Sequence, residues 1–335
     1  MSRMIAFDDW SLFLVAMETF RLYGGDFVVG YLECAIKEVA DLMKIYENDG
    51  LLKIRKAYKA ADIPNIPYDP DSQTEYANQM TNSHLCLYEF KESVEFIAFT
   101  DWDDILIGPR NNGIYGKIID SFHQLSSLQP NVGAFSVQRI PFIAQKQKNI
   151  NEPFALKEFI YSSKLLDPKM VVRPTVVAGV WIHALKIAES PNFYGISINS
   201  TNLAVLLHFK ISNKKKLLTT NDFKMMENNE YFNSSLMETN MKNMFDKSGF
   251  SFNPSKYPRS NLFYRLINNC YVKMEKGVQD DTIPFCPTHK ACKYPKQNVK
   301  VVKVITTHKL PKKMGRYIWH ERDSVQFETC KEGCL

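Results

Sequence analysis

An α/β sandwich around a mixed, largely parallel central sheet is the fold class this sequence predicts, and three observations carry it. At 335 residues, with 45% hydrophobic and 13% aromatic content, the chain is long enough to bury one large core. Apolar runs of strand length alternate with segments of helical periodicity through the first two thirds of the chain. One run, "VEFIAFT" (94–100), is almost wholly apolar, as a strand covered on both faces must be. Gly and Pro contents are ordinary and nothing repeats, which excludes fibrous, low-complexity and solenoid architectures.

The elements follow in order. Leu12, Val15, Ala16, Phe20 and Tyr23 fall on one side of a helix over 11–23, with Gly24-Gly25 as its stop. "DFVVGYL" (26–32) reads as a short buried strand. In "CAIKEVADLMKIYENDG" (34–50), Ile36, Val39, Leu42, Met43 and Tyr46 recur at helical spacing, and "LLKIRKAY" (51–58) alternates as a strand does. After a loop holding Pro64, Pro67 and Pro70, Ser72 and Glu75 have the spacing of a capping box, opening a helix to about Phe90. "VGAFSVQ" (132–138), "MVVRPTVV" (170–177) and "NLAVLLHF" (202–209) add strands. Residues 211–250 read as helical and polar. The chain thus divides into a main domain over 8–250 and a basic, Cys- and Pro-containing extension over 251–335.

The net charge of +6 is unevenly spread, for nine positive and no acidic residues lie between Thr282 and His320. Such a run is either a solvated surface or a patch that attracts anionic lipid, phosphate or an acidic partner. Its aromatics are sparse and match no RNA-binding motif, so no nucleic-acid partner is expected. The opening "MSRMIAFDDWSLFLVAMETF" is interrupted by Asp8, Asp9 and Glu18 and falls short of the ~20 apolar residues a membrane span needs. The chain as read is soluble, and membrane association would require an N-terminal anchor missing from it. Cys34 and Cys86 lie in helical or buried patterns and read as small apolar thiols. Cys270, Cys286, Cys292, Cys330 and Cys334 crowd the last quarter, near His289, His308 and His320. The lack of any C-x2-C pair favours disulfides in an oxidising compartment over a zinc site. Sequons at Asn199 and Asn233 agree with a lumenal setting.

The chemistry concentrates in "EFIAFTDWDDILIGPR" (95–110), where an apolar strand delivers Asp101, Asp103 and Asp104 to one point. Carboxylates so close together repel unless a cation sits among them, and their hard oxygens suit Mg²⁺, Mn²⁺ or Ca²⁺. In D-x-D at a strand end, positions i and i+2 point to the same side, so Asp101 and Asp103 can share one ion. Ligand crevices of α/β sheets lie beyond the carboxyl ends of central strands, which is where Asp101 falls. An EF-hand is excluded because Leu106 stands where Gly is required and Asn112 where Glu is required. No Walker A, G-x-G-x-x-G or H-E-x-x-H motif occurs. The competing reading is a solvated turn capping a helix that begins near Asn111.

Five blocks in order, "ETFRLYGGDFVVGY" (18–31), "LMKIYENDGLLKIRKAY" (42–58), "SHLCLYEFKESVEFIAFTDWDDILIGPR" (83–110), "PKMVVRPTVVAGVWIH" (168–183) and "AVLLHFK" (204–210), resemble the family 92 glycosyltransferases. The resemblance covers about residues 12–250. It implies a GT-A-like fold and metal-dependent, inverting transfer of a hexose, typically galactose, from a UDP-sugar to a glycan acceptor. It also implies Mn²⁺ or Mg²⁺ as cofactor and the Golgi or secretory-pathway lumen or membrane as location. Asp103 would then ligate the metal, Asp101 the metal or the donor ribose, and Asp104 would orient its neighbours. His208, in "LLHFK", is the expected further ligand, with His183 behind it. Lys169 and Arg173 match basic positions of the family and would meet the diphosphate or form structural ion pairs. The general base has no motif, and Glu152 and Glu158 are its nearest candidates. Trp102 departs from the smaller apolar residue expected there. With it, the missing anchor keeps a catalytically inactive sugar- or nucleotide-binding relative as the alternative.

Overall fold

A curled, eight-stranded mixed sheet organises this chain, whose computed structural model describes residues 3–60, 64–111, 114–146, 156–162, 164–212, 223–226, 232–258, 262–282, 288–307, 312–314, 317–319, 324–331 and 333–334. Helix α1 (Trp10–Leu22) starts where the Asp9 carboxylate accepts from Leu12 N–H, and stops ahead of Gly24, which takes φ 72°. Its burial is wider than a one-sided stripe. Trp10, Phe13, Leu14, Val15 and Met17 are all in the core, and buried Glu18 accepts from the Tyr46 hydroxyl at 2.7 Å.

Strand β1 (Val28–Leu32) leads to β2 (Cys34–Ile36), α2 (Lys37–Asn48) and β3 (Leu52–Lys56). β1 and β3 pair in parallel, Val28 opposite Leu52, with α2 as the crossover. The helix expected over 34–50 begins three residues late because Cys34–Ile36 is drawn into a strand pair with Val301–Lys303. The helix expected to open at Ser72 also starts later, and the Glu75 side chain of the expected capping box lies outside the described residues. Ser72 Oγ donates to the Asp69 carbonyl, and Asn78 takes a left-handed φ of 63°, so helix α3 (Gln79–Phe90) starts only after it.

Next come β4 (Ile97–Phe99), β5 (Asp104–Ile107), the ribbon β6 (Arg110–Asn111) and β7 (Ile114–Tyr115), and α4 (Ile118–Leu128). No helix begins at Asn111, and the Asp101–Asp104 segment caps none. Strand β8 (Val132–Lys146) is the spine. β9 (Leu156–Ser162) and β10 (Leu166–Val172) follow, then a side ribbon of β11 (Val177–Val180) and β12 (Leu185–Ala188). The sheet is completed by β13 (Tyr194–Ile198), β14 (Val205–Ser212) and β15 (Phe223–Met226). The sheet is mixed rather than largely parallel. β13 and β14 pair with β8 in parallel, whereas β8–β9, β8–β10, β10–β4, β14–β5 and β15–β9 are antiparallel. β9 runs antiparallel along the second half of β8, and β10, beginning at Leu166 shortly after β9 ends at Ser162, continues in the same direction along its first half.

Beyond the sheet lie α5 (Ser234–Ser248), α6 (Leu262–Gln279), β16 (Val301–Thr307), the pair β17 (Lys312–Met314) and β18 (Tyr317–Trp319), and β19 (Ser324–Cys330). β16 pairs with both β19 and β2. Tyr257, Phe263, Val301, Val302 and Val304 join Met4, Phe13, Tyr46 and Phe209 in one core. Cys270 bonds to Cys292, and Cys34, expected as a plain buried thiol, bonds instead to Cys334. Cys86 remains a buried thiol, Cys330 is unpaired, and Cys286, His308 and His320 lie outside the described residues. Among the described residues, no helix is long and apolar enough to cross a membrane.

Candidate active site

The spine β8 changes partners midway along its length. Its first half pairs with β10 and β13, its second half with β9 and β14, and Arg139 stands at the change, opposite Leu166 on one side and Leu206 on the other. The crevice of an α/β sheet forms at such a change of partners. Here the end of β4, the start of β5 and the middle of β14 meet, with His208 directly opposite Asp104 in the β14–β5 register.

The three aspartates converge through a turn rather than a pleat. Asp104 N–H donates to the Asp101 carbonyl at 3.0 Å, and Asp101 N–H reaches back to Asp104 Oδ2 at 3.3 Å. Phe209 N–H donates to the Asp103 carbonyl at 2.6 Å and fixes the loop to β14. His208 Nδ1 then lies 3.4 Å from Asp103 Oδ2 and 3.1 Å from Asp104 Oδ1, and one ligand atom from each of the three residues falls within 4.8 Å of the others. Roughly a hundred residues of sequence separate the imidazole from the carboxylates, and only the sheet brings them together.

Two cations buttress this cluster. Lys169, 3% exposed, places Nζ 2.7 Å from Asp101 Oδ2, while Gln79 Nε2 donates to the other oxygen at 3.0 Å. Arg139 Nε donates to Asp104 Oδ1 at 2.6 Å, and its Nη2 lies 2.7 Å from His208 Nδ1 and 4.0 Å from Asp101 Oδ2. A guanidinium has only protons to give, so the Nδ1 lone pair of His208 faces Arg139, and a divalent ion held by that nitrogen would take the lone pair in place of the Arg139 contact. Asp104, whose side chain is wholly buried, is thereby a strut. Asp101 and Asp103 keep some exposure.

The electrostatics separate the two members of the D-x-D pair. Burial pushes the Asp101 carboxyl up, but Lys169, backed by Arg139, outweighs it and holds the group below the ordinary carboxylate range. Burial, with Asp104 and Asp101 as like-charged neighbours, pushes Asp103 up to about 6 despite His208 and Arg139. Asp103 is therefore the oxygen ligand with most to gain from a divalent cation. The set of hard carboxylate oxygens and one neutral imidazole fits Mn²⁺ or Mg²⁺.

Other expected site residues fall elsewhere. Arg173 donates to the Pro130 and Val132 carbonyls at 2.7 and 3.1 Å. β10 runs antiparallel to β4, so Arg173 sits at the start of β4 whereas Lys169 reaches its end. His183 Nδ1 bonds the Pro168 carbonyl at 2.7 Å, outside the cluster. Glu158 lies on β9 between residues paired with Ala144 and Gln145, about four residues along the sheet from Pro141, the partner of His208, and its side chain is outside the described residues. Glu152 lies outside the described residues altogether. Trp102 packs its indole on Phe7 and Phe13, with ring centroids 5.9 and 5.6 Å away, in space that Gly30 leaves open. Arg139 is the residue that sequence reasoning missed. Its one signal is a charge set inside an otherwise uncharged, largely apolar strand, "FSVQRIPFI".

Asp101, Trp102 and Asp103 open into a cavity of about 490 Å³, closed on other sides by the N-terminal segment and α6. A mixed α/β fold thus sets an acidic cluster beside a ligand-sized cavity. The description of Glycosyltransferase family 92 matches residues 1–248, and the chain belongs to that family. Among its relatives are three Caenorhabditis elegans proteins, each named a glycosyltransferase family 92 protein. One is 24% identical over 287 residues, covering 81% of this chain and 55% of the relative. The others are 23% identical over 353 residues (97% and 65%) and 25% identical over 282 residues (79% and 54%). The chain thus spans about half to two thirds of these relatives' length.

Proposed function

We propose that this chain is a metal-dependent, inverting hexosyltransferase of GT-A type, moving a hexose, galactose first among candidates, from a UDP-sugar to a glycan acceptor in the lumen of the secretory pathway. The observation that carries the reading is the convergence of Asp103, Asp104 and His208, from distant parts of the sequence, on one point, with Asp101 and Asp103 also lining the cavity. When bound, a divalent ion would supply Lewis-acid stabilisation of the diphosphate as it departs. Asp103 and His208 would hold that ion, with Asp101 shared between ion and donor. Lys169 and Arg139 fix the carboxylates in position, so little reorganisation is needed at the moment of reaction. Lys210, next along β14 and on the cavity wall, adds positive charge where the phosphates would lie. Exposed Asn199 and Asn233 and the two disulfides agree with an oxidising lumen.

The test is transfer, with Mn²⁺ present, from a panel of UDP-hexoses to a glycan array. Metal-dependent transfer of one hexose with inverted anomeric configuration is expected. UDP binding without transfer or hydrolysis of any donor would favour the inactive, sugar- or nucleotide-binding alternative.

A further inference from the structure

Helix α6 has two faces with different work to do. Phe263, Cys270, Met274 and Gly277 are buried, and the Cys270–Cys292 bond ties that side down. Tyr264, Ile267, Asn268 and Tyr271 recur at i, i+3, i+4 and i+7, and line the same cavity as Asp101 and Asp103. Ile267 packs against the core, but Tyr264 is 55% exposed and Asn268 is exposed as well, so core packing does not account for them. Burial and the negative charges of Asp103 and Asp9 raise the affinity of the Tyr264 hydroxyl for its proton, which places that phenol within the field of the D-x-D carboxylates. The helix is held at its start, where Asp8 Oδ2 accepts from Phe263 N–H at 2.7 Å.

Two phenols and an amide on one helix face form a neutral surface. Aromatic rings take the C–H face of a sugar ring, and the amide and hydroxyls pair with its hydroxyl groups. A nucleoside diphosphate needs compensating charge, and these three side chains offer none. Helix α6 also lies outside the residues matched to the family, 1–248. We propose that the Tyr264–Asn268–Tyr271 face of α6 is the wall against which the acceptor sugar docks, its ligand an uncharged hexose ring. This deepens the transferase reading above and rests on it for the word acceptor.

Saturation-transfer NMR on the full chain with lactose, cellobiose and chitobiose tests the wall, alongside thermal stabilisation by UDP with Mn²⁺. The wild type should bind at least one disaccharide. The double substitution Tyr264→Ala with Asn268→Ala should weaken that binding about tenfold or more, with the UDP response unchanged. Tyr264→Phe, which keeps the ring, should retain most of it. The wall is refuted if no disaccharide binds the wild type, if the double variant binds as well as the wild type, or if a folded double variant loses the UDP response too. A wild type that ignores UDP yet binds sugar through these residues would refute the donor reading and leave the wall standing.

Discussion

At the residue scale, Arg139 decides whether the site can exist. Asp104 is buried without solvent to stabilise its charge, and Arg139 is its nearest cation, while the same guanidinium lies 2.7 Å from His208 Nδ1. Removing one member of a buried ion pair leaves an uncompensated charge and costs about 3–5 kcal/mol. Arg139→Met should therefore lower stability in urea denaturation by that order, and a loss below about 1 kcal/mol would show that Asp104 does not depend on it. The aspartates themselves were legible in the sequence, because an apolar strand ending in D-x-D has few uses. Arg139 was not, since a single charge in a strand does not reveal which buried acid will face it. Nor does the sequence tell that Arg173, four places from Lys169, lies at the other end of β4, which follows from β10 running antiparallel to it.

At the element scale, α1, α2, β1 and β3 were read close to where they occur, because burial imposes its period on the sequence, but the stretch 211–250 read as helical holds strand β15 before α5. Strand pairing was not legible, because parallel or antiparallel association depends on connector length and on which edges remain open. Cys34 is the sharpest case. Its neighbours have helical spacing, yet β16 recruits it into a strand, and its disulfide partner is 300 residues away. That bond closes a very long loop, and losing a native disulfide typically costs ~2–5 kcal/mol. Non-reducing peptide mapping should recover Cys34–Cys334 and Cys270–Cys292. Cys34→Ser should lower the thermal midpoint of the oxidised protein, and an unchanged midpoint would contradict the pairing.

At the scale of the whole molecule, the N-terminal segment is locked to the C-terminal part by a buried polar network as well as by the shared core. Arg3 donates to Asp71 at 3.0 and 3.2 Å, Lys290 pairs with Asp69 and Asp71, and His289 is buried beside them. Burial, with Arg3 and Lys290 as positive neighbours, depresses His289 to about 4 from 6.5. The unfolded chain therefore takes up a proton between those values that the folded chain refuses, so this histidine's contribution to stability is lost as pH falls below 6.5. Between pH 7 and pH 5 the wild type should lose about 2 kcal/mol that His289→Gln does not, and equal pH profiles in denaturant titrations would contradict it. This network also holds the N-terminal wall of the cavity in place, and so links global stability to the site. The account's central claim is that the cavity binds a nucleoside diphosphate through a cation held by Asp103. Calorimetric titration of UDP, with and without Mn²⁺, into the wild type and Asp103→Asn tests it most directly. Binding should require Mn²⁺ and fall tenfold or more in the folded variant, as loss of a metal ligand entails. UDP affinity that ignores either the metal or the substitution would contradict it.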